Sequence, residues 1–220
     1  MRTAVFDLDG TLADTSADLL AAANACFAAF GHAAPLGPGD AATAFAGGRA
    51  MLRLGAARLG LGWDDAAVAR AFPVFLEAYA EGIDRETRLY PGAVAAVEAL
   101  RAEGFLTAIC TNKPAGLAEE LTRRLGVRDL FGALVGADTL PVRKPDPAPY
   151  RLAVAQAGGS LARSFLVGDT VTDRDTARAV GVPVVLVTFG PEGRAVEALK
   201  PDATIGHFDE LGPIASRLIS

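Results

Sequence analysis

The possible folds of this chain are limited most sharply by an interval. The first apolar run, Thr3-Ala4-Val5-Phe6, reads as a buried strand stopped by the polar turn Asp7-Leu8-Asp9-Gly10. The next convincing strand, Leu106–Cys110, lies roughly a hundred residues later, far beyond the single helix of an ordinary crossover. What fills the interval is helical. Leu19, Ala23, Phe27 and Phe30 recur at helical spacing, as do Leu52, Ala56 and Leu59, and then Val68, Phe72, Phe75 and Tyr79. Thr15 and Asp18 have the spacing of a capping box at a helix start. Gly31, the segment 35–39 and the glycines at 60 and 62 divide the region into separate helices, and no strand is expected between Thr15 and about Arg88.

After Tyr90-Pro91-Gly92 the rhythm changes to alternation. A helix over 94–101 precedes strand Leu106–Cys110, and a helix over 117–125 precedes a short strand at Ala133–Val135. Asp146-Pro147 has the chemistry of an N-cap followed by proline at the first helical position. Residues 165–167 and Val184–Val187 are further β-branched runs, with a helix over 176–180 between them. Such alternation predicts an α/β fold, a parallel sheet with helices on both faces. The economical arrangement is a discontinuous α/β domain from residues 1–13 and 89–220, with an inserted all-helical domain at 14–88.

Charge and cysteine content narrow the function classes. A formal net charge of −5 does not suit non-specific binding to nucleic acid or to an anionic membrane, both of which need a basic face. It leaves room for an anionic small molecule, because a local cation cluster or a metal can reverse the field inside a cleft. Cys26 and Cys110 have no metal-type spacing and are expected to be buried free thiols in a reducing compartment. The apolar stretch 19–30 is interrupted by Asn24, ends at Gly31 and is too short to span a bilayer. Aspartates at 7 and 9 do not suit a secretory signal. A soluble cytoplasmic protein, monomer or homodimer, is therefore expected.

In an open parallel sheet, ligands bind beyond the carboxyl ends of the strands. The first strand delivers Asp7 and Asp9 there, and the second ends at Thr111-Asn112-Lys113. A loop carries Arg143-Lys144-Pro145, and another strand runs into Gly168-Asp169, with Asp173 one helical turn on. Aspartates converging without a cation would oppose each other's ionisation. A divalent metal together with Lys144 would neutralise them and still attract a phosphate dianion, and hard carboxylate oxygens favour Mg²⁺. Asp173 also has a structural reading, since Thr170-x-x-Asp173 has the spacing of a helix cap.

Asp7-Leu8-Asp9-Gly10-Thr11, Thr111, Lys144-Pro145 and Gly168-Asp169-x-x-x-Asp173 match, in order, the four motifs of the haloacid dehalogenase superfamily. Cys110-Thr111-Asn112-Lys113-Pro114, Gly136-Ala137-Asp138-Thr139-Leu140-Pro141 and Arg143-Lys144-Pro145-Asp146-Pro147 resemble its phosphoglycolate phosphatase branch. The resemblance implies a Rossmann-like sheet, a helical cap domain, and Mg²⁺-dependent hydrolysis of a small phosphate monoester such as 2-phosphoglycolate. Asp7 would be the nucleophile and Asp9 the general acid and base. Asp7, the backbone carbonyl of Asp9, and Asp169 would hold the metal, with Asp173 in support. Thr111 and the Asn112 N–H would bind phosphoryl oxygens, and Lys144 would offset their charge. In the helical insertion, Phe45-Ala46-Gly47-Gly48-Arg49 reads as a tight turn before a helix. The resemblance turns this loop toward the substrate, where Arg49 could hold a carboxylate or a second phosphate; Lys113 is a second candidate substrate contact. The same catalytic residues would equally serve a phosphotransferase or sugar phosphomutase. A non-catalytic phosphate sensor fits less well, because every residue that the chemistry needs is present.

Overall fold

The computed structural model describes residues 1–219 and divides the chain into two compact units, Met1–Asp14 with Leu89–Ser220, and Thr15–Arg88. In chain order, strands β1 (Thr3–Phe6) and β2 (Ala13–Asp14) lead to helices α1 (Ser16–Ala29), α2 (Ala41–Phe45), α3 (Gly48–Arg58) and α4 (Asp65–Glu81). Strand β3 (Arg88–Leu89) is followed by α5 (Ala93–Ala102), β4 (Leu106–Cys110), α6 (Ala115–Arg124) and β5 (Ala133–Val135). The remainder is α7 (Pro147–Gln156), β6 (Ser164–Gly168), α8 (Val171–Val180), β7 (Val184–Val187), β8 (Ala203–Ile205) and α9 (Leu211–Leu218). β2 and β3 form a separate two-stranded sheet.

The α/β unit is a six-stranded parallel sheet in the order β5-β4-β1-β6-β7-β8. β1, though it comes first in sequence, pairs with both β4 and β6, with Val5 opposite Ala108 on one side and Leu166 on the other. All four residues of β1 and of β7 are buried, which is why these strands read as unbroken apolar runs rather than alternating ones. One face packs Val5, Ala108, Cys110, Leu166, Val184 and Leu186 against Tyr150, Ala153 and Val154 of α7 and Ala177 of α8. Elsewhere in the core Phe6 meets Phe131 and Phe105 meets Phe165, both edge to face. Cys26 and Cys110 are buried free thiols, as expected, and burial pushes the Cys110 thiol up to about 12.

Several element boundaries differ from those expected. α8 begins at Val171, five residues before the helix expected over 176–180, because Thr170 and Asp173 form the cap that their spacing allowed and the polar segment Thr172-Asp173-Arg174-Asp175 is its first turn rather than a loop. β8 and α9, near the end of the chain, give no signal in the periodicity.

The helical unit buries Leu19, Ala23, Phe27, Met51, Leu52, Val68, Phe75 and Tyr79, most of them the residues found at helical spacing. Trp63 stacks on Phe27 at 5.2 Å, with Phe30 and His32 at its edges. The expected capping box at Thr15 is a correction. Thr15 makes no side-chain capping hydrogen bond to α1. The Asp18 carboxylate instead accepts from the Glu86 and Thr87 backbone N–H groups and from the Thr87 hydroxyl, at 2.8–3.0 Å. Two backbone donors and a hydroxyl on a distant segment outcompete one local donor, and Asp18 ties the first helix to the end of the insertion.

Candidate active site

The sheet order places the ends of β1, β4 and β6 side by side, at the point where connections run to opposite edges. Asp7 continues β1 by one residue, donating its N–H to Val167 O at 2.9 Å. Its Oδ1 accepts from Leu8 N at 2.7 Å, and its Oδ2 lies 3.1 Å from Lys144 Nζ. Gly10, at φ 80°, supplies the left-handed turn that brings the chain back, so that Gly10 N bonds Ala13 O at 2.9 Å.

Asp173 joins the two readings that its sequence allowed. Its Oδ2 accepts from the N–H groups of Asp169 and Thr170 and from the Thr170 hydroxyl, which fixes the start of α8. Its Oδ1 lies 2.6 Å from Lys144 Nζ. The cap is thus also the partner of the site lysine. Such close approach requires Gly168, where any Cβ would overlap the Cβ and Cγ of Asp173. Asp169 is turned by Thr11, whose hydroxyl donates to Oδ1 at 2.8 Å. Its Oδ2 is buried without a hydrogen-bond partner.

Asp7, Asp169 and Asp173 present ligand oxygens all within 4.8 Å of one another. Three carboxylates here face one buried ammonium, and a divalent cation would balance the remainder. Burial raises the Asp7 carboxyl, Lys144 opposes the rise, and Asp173 and Asp9 add to it, leaving it at about 6 against an ordinary 3.8. Asp169 is raised well above the ordinary range, by burial first and then by Asp173 and Asp7. Burial alone would depress Lys144, yet Asp173 and Asp7 outweigh it and hold the ammonium protonated. An orphaned buried oxygen in an all-oxygen, over-acidic cluster fits a hard divalent cation.

Asp9 has a different partner. Its carboxylate is not one of the three gathered oxygens; Lys113 Nζ lies 2.7 and 3.0 Å from its two oxygens. Lys113, a candidate substrate contact by sequence, is buried with its ammonium against Asp9. Thr111 continues β4, its N–H donating to Val135 O at 2.9 Å, while its Oγ1 accepts from Lys113 N at 3.1 Å. Asn112 spans the two loops, donating its side-chain amide to Lys144 O at 3.0 Å. Arg49 belongs to the helical unit, where its guanidinium lies 4.4 Å over the Phe72 ring.

The sequence motifs included Thr11 without giving it a function and read Thr170 only as part of a helix cap, although each hydroxyl also turns a site carboxylate. The Thr170-x-x-Asp173 spacing was the available signal for one. No spacing could have shown that Asn112 bridges to Lys144 through its side chain.

A family profile described as haloacid dehalogenase-like hydrolase matches residues 1–181. The phosphoglycolate phosphatase of Mesorhizobium japonicum is 41% identical over 216 residues, spanning 98% of this chain and 95% of that protein. That of Agrobacterium fabrum is 36% identical over 219 residues, spanning 99% and 94%. Among solved structures, a predicted phosphoglycolate phosphatase from Haemophilus somnus superposes with a TM-score of 0.85 over 97% of both chains at 24% identity. CbbY from Rhodobacter sphaeroides, in complex with phosphate, does so at 0.77 over 96% of each chain and 23% identity. Four ordered motifs, the parallel sheet that brings them together and a match over most of the chain agree: the protein belongs to the haloacid dehalogenase-like hydrolases.

Proposed function

We propose that this protein hydrolyses a small phosphate monoester, 2-phosphoglycolate first among candidates, through a phospho-aspartyl intermediate on Asp7. The observation that carries the proposal is Asp7 itself: a carboxylate at the end of the central strand, 3.1 Å from a buried lysine and grouped with Asp169 and Asp173. The substrate follows from the names of the full-length relatives.

In the first step an Asp7 oxygen forms a bond to phosphorus as the bond to the ester oxygen breaks, and Asp9 gives its proton to the departing alkoxide. In the second, water gives a proton to Asp9 and attacks phosphorus, releasing inorganic phosphate and restoring the Asp7 carboxylate. Thr111 and the Asn112 N–H orient phosphoryl oxygens, while Lys144 offsets their charge, which suits a reaction governed by positioning and charge stabilisation. Asp7, the Asp9 carbonyl and Asp169 would hold Mg²⁺, with Asp173 fixing Lys144 beside them. The bound ion would supply charge neutralisation at the phosphoryl group. We assign the helical unit the role of a cap that excludes bulk water during turnover, with Arg49 of α3 as the candidate for recognising the substrate carboxylate. Two buried free thiols suit a reducing, cytoplasmic setting.

The test is phosphate release from 2-phosphoglycolate, sugar phosphates and p-nitrophenyl phosphate, with Mg²⁺ and with EDTA. Metal-dependent turnover favouring phosphoglycolate is expected. Turnover of other esters in preference would remove the substrate assignment, and turnover undiminished by EDTA would remove the metal.

A further inference from the structure

The site holds two buried lysines, and they serve different carboxylates. Lys144 contacts Asp7 and Asp173, at 3.1 and 2.6 Å. Lys113 contacts Asp9 through both oxygens, at 2.7 and 3.0 Å, with a side chain 3% exposed. We infer that Lys113 is a positioning residue for the general acid and base: it acts through Asp9, fixing where that carboxyl group stands, rather than by contacting substrate. The inference rests on the assignment of Asp9 given above.

The backbone around Lys113 is built to hold its ammonium in place. Its N–H is tied to Thr111 Oγ1 at 3.1 Å, and its carbonyl accepts from Ala137 N at 2.9 Å. Pro114 follows immediately, and α6 begins at the next residue, where Ala115 N donates to Asp138 Oδ1 at 2.7 Å. The loop is thus anchored on both sides of the lysine. The Asp9 side chain is 20% exposed against 3% for the lysine, so the acid faces the cleft while the cation behind it is enclosed. A two-pronged contact to a fixed cation restricts both the position and the tilt of the carboxyl plane. Proton transfer is sensitive to such placement, since a displacement of about 1 Å can cost around 10²-fold.

A residue acting through the general acid has a distinctive signature. Alkyl phosphates need their leaving oxygen protonated, whereas p-nitrophenolate is a stable anion and leaves with little help. The experiment compares kcat/KM, which reports on the first phosphoryl transfer, for 2-phosphoglycolate, glycerol phosphate, phenyl phosphate and p-nitrophenyl phosphate. The proteins are the wild type, Lys113→Met, Lys113→Arg, Asp9→Asn and the Lys113→Met/Asp9→Asn double variant, all with Mg²⁺. For Lys113→Met we expect a fall of about 10–100-fold on the alkyl esters, at least tenfold greater than on p-nitrophenyl phosphate. Lys113→Arg should recover part of the alkyl activity, and the double variant should be no worse than Asp9→Asn alone.

Equal losses on every ester would overturn the inference and make Lys113 a general electrostatic partner of the phosphoryl group. A loss confined to 2-phosphoglycolate and expressed in KM would make it a carboxylate-binding residue instead. No loss on any ester would show the pair to be dispensable. If Asp9→Asn itself shows no dependence on the leaving group, the assignment of Asp9 fails, a result distinct from failure of Lys113 alone. Should Lys113→Met not fold, Lys113→Arg, which keeps the charge and moves its centre, carries the same comparison across the esters.

Discussion

At Asp7 and Asp169 the protein holds two carboxyl groups whose proton affinity is raised by burial and by each other's neighbours. A folded-state value above the unfolded one means that the folded protein binds protons more tightly than the unfolded chain. That contribution to stability is fully present below about 3.8 and is lost as pH rises through about 6 at Asp7. Without divalent metal, melting temperature should therefore decline across this window, and Mg²⁺ should raise it more at pH 7.5 than at pH 5, where protons compete for the same oxygens. Thermal melts with Mg²⁺ and with EDTA at the two pH values check this; an equal increment at both would separate the metal from these carboxylates. The same residues set the kinetic expectations. Asp7→Asn should abolish turnover in a protein that still folds. Asp9→Asn should lose roughly 10²–10⁴-fold with alkyl phosphates, the range for a general acid or base. At this scale Asp7, Asp169, Asp173 and Lys144 were legible in the sequence, because order and spacing at strand ends identify which side chains must meet. The pairing of Lys113 with Asp9 was not. Two lysines on neighbouring loops are interchangeable to spacing, and only the path of the backbone decides which carboxylate each one reaches.

Elements are held by a few polar contacts that local pattern misplaces. Thr15 and Asp18 have capping spacing, yet Asp18 bonds Glu86 and Thr87, sixty-eight and sixty-nine residues away. Since the carboxylate is buried, removing it leaves the Glu86 and Thr87 donors without their charged acceptor. Asp18→Ala should cost about 2–3 kcal/mol, the scale for losing charge-assisted hydrogen bonds at a buried site, and is checked by urea denaturation. A change below about 0.5 kcal/mol would mean that these donors find water instead. At α8 the local pattern did hold, because the partner of Asp173 is its own helix start. Here a second prediction follows from close packing. Gly168→Ala would drive its new methyl into Asp173, displacing the carboxylate from Lys144 as well as from the cap. Activity should fall by about 10²-fold or more, as expected when a site is shifted by about an ångström. Assay of the purified variant with Mg²⁺ checks it. β8, Ala203-Thr204-Ile205, escaped notice because, unlike the equally short and fully buried Ala133-Leu134-Val135, it is buried only at Ile205 and carries no apolar run, and its pairing with β7 is decided by the sheet rather than by the segment.

In the whole molecule, the long interval between the first two strands determines how the chain is assembled. β1 must leave a stretch of some seventy residues behind it and still enter the middle of the sheet, between β4 and β6. The departure and return are close together: Tyr90 N donates to Leu12 O at 3.0 Å, across the insertion but within the α/β unit. Insertions at such points cost little loop-closure entropy, and so does their removal. The discontinuity was therefore legible from spacing alone, whereas what the insertion does to substrate choice was not, since selectivity depends on side-chain placement in loops with no regular period. If the helical unit supplies recognition of the substrate's far end while the α/β unit supplies chemistry, the two should separate. Replacing residues 15–88 by a short glycine-containing turn should leave a protein with one cooperative unfolding transition, because the sheet, its flanking helices and its buried core all lie outside the excised segment. Its kcat/KM for 2-phosphoglycolate should fall by more than about 10²-fold, with a smaller loss for p-nitrophenyl phosphate, because recognition of remote groups is where binding energy enters the barrier. Equal losses for both esters would instead assign the helical unit to the chemical step, through exclusion of water from the phospho-aspartate rather than through contact with the substrate.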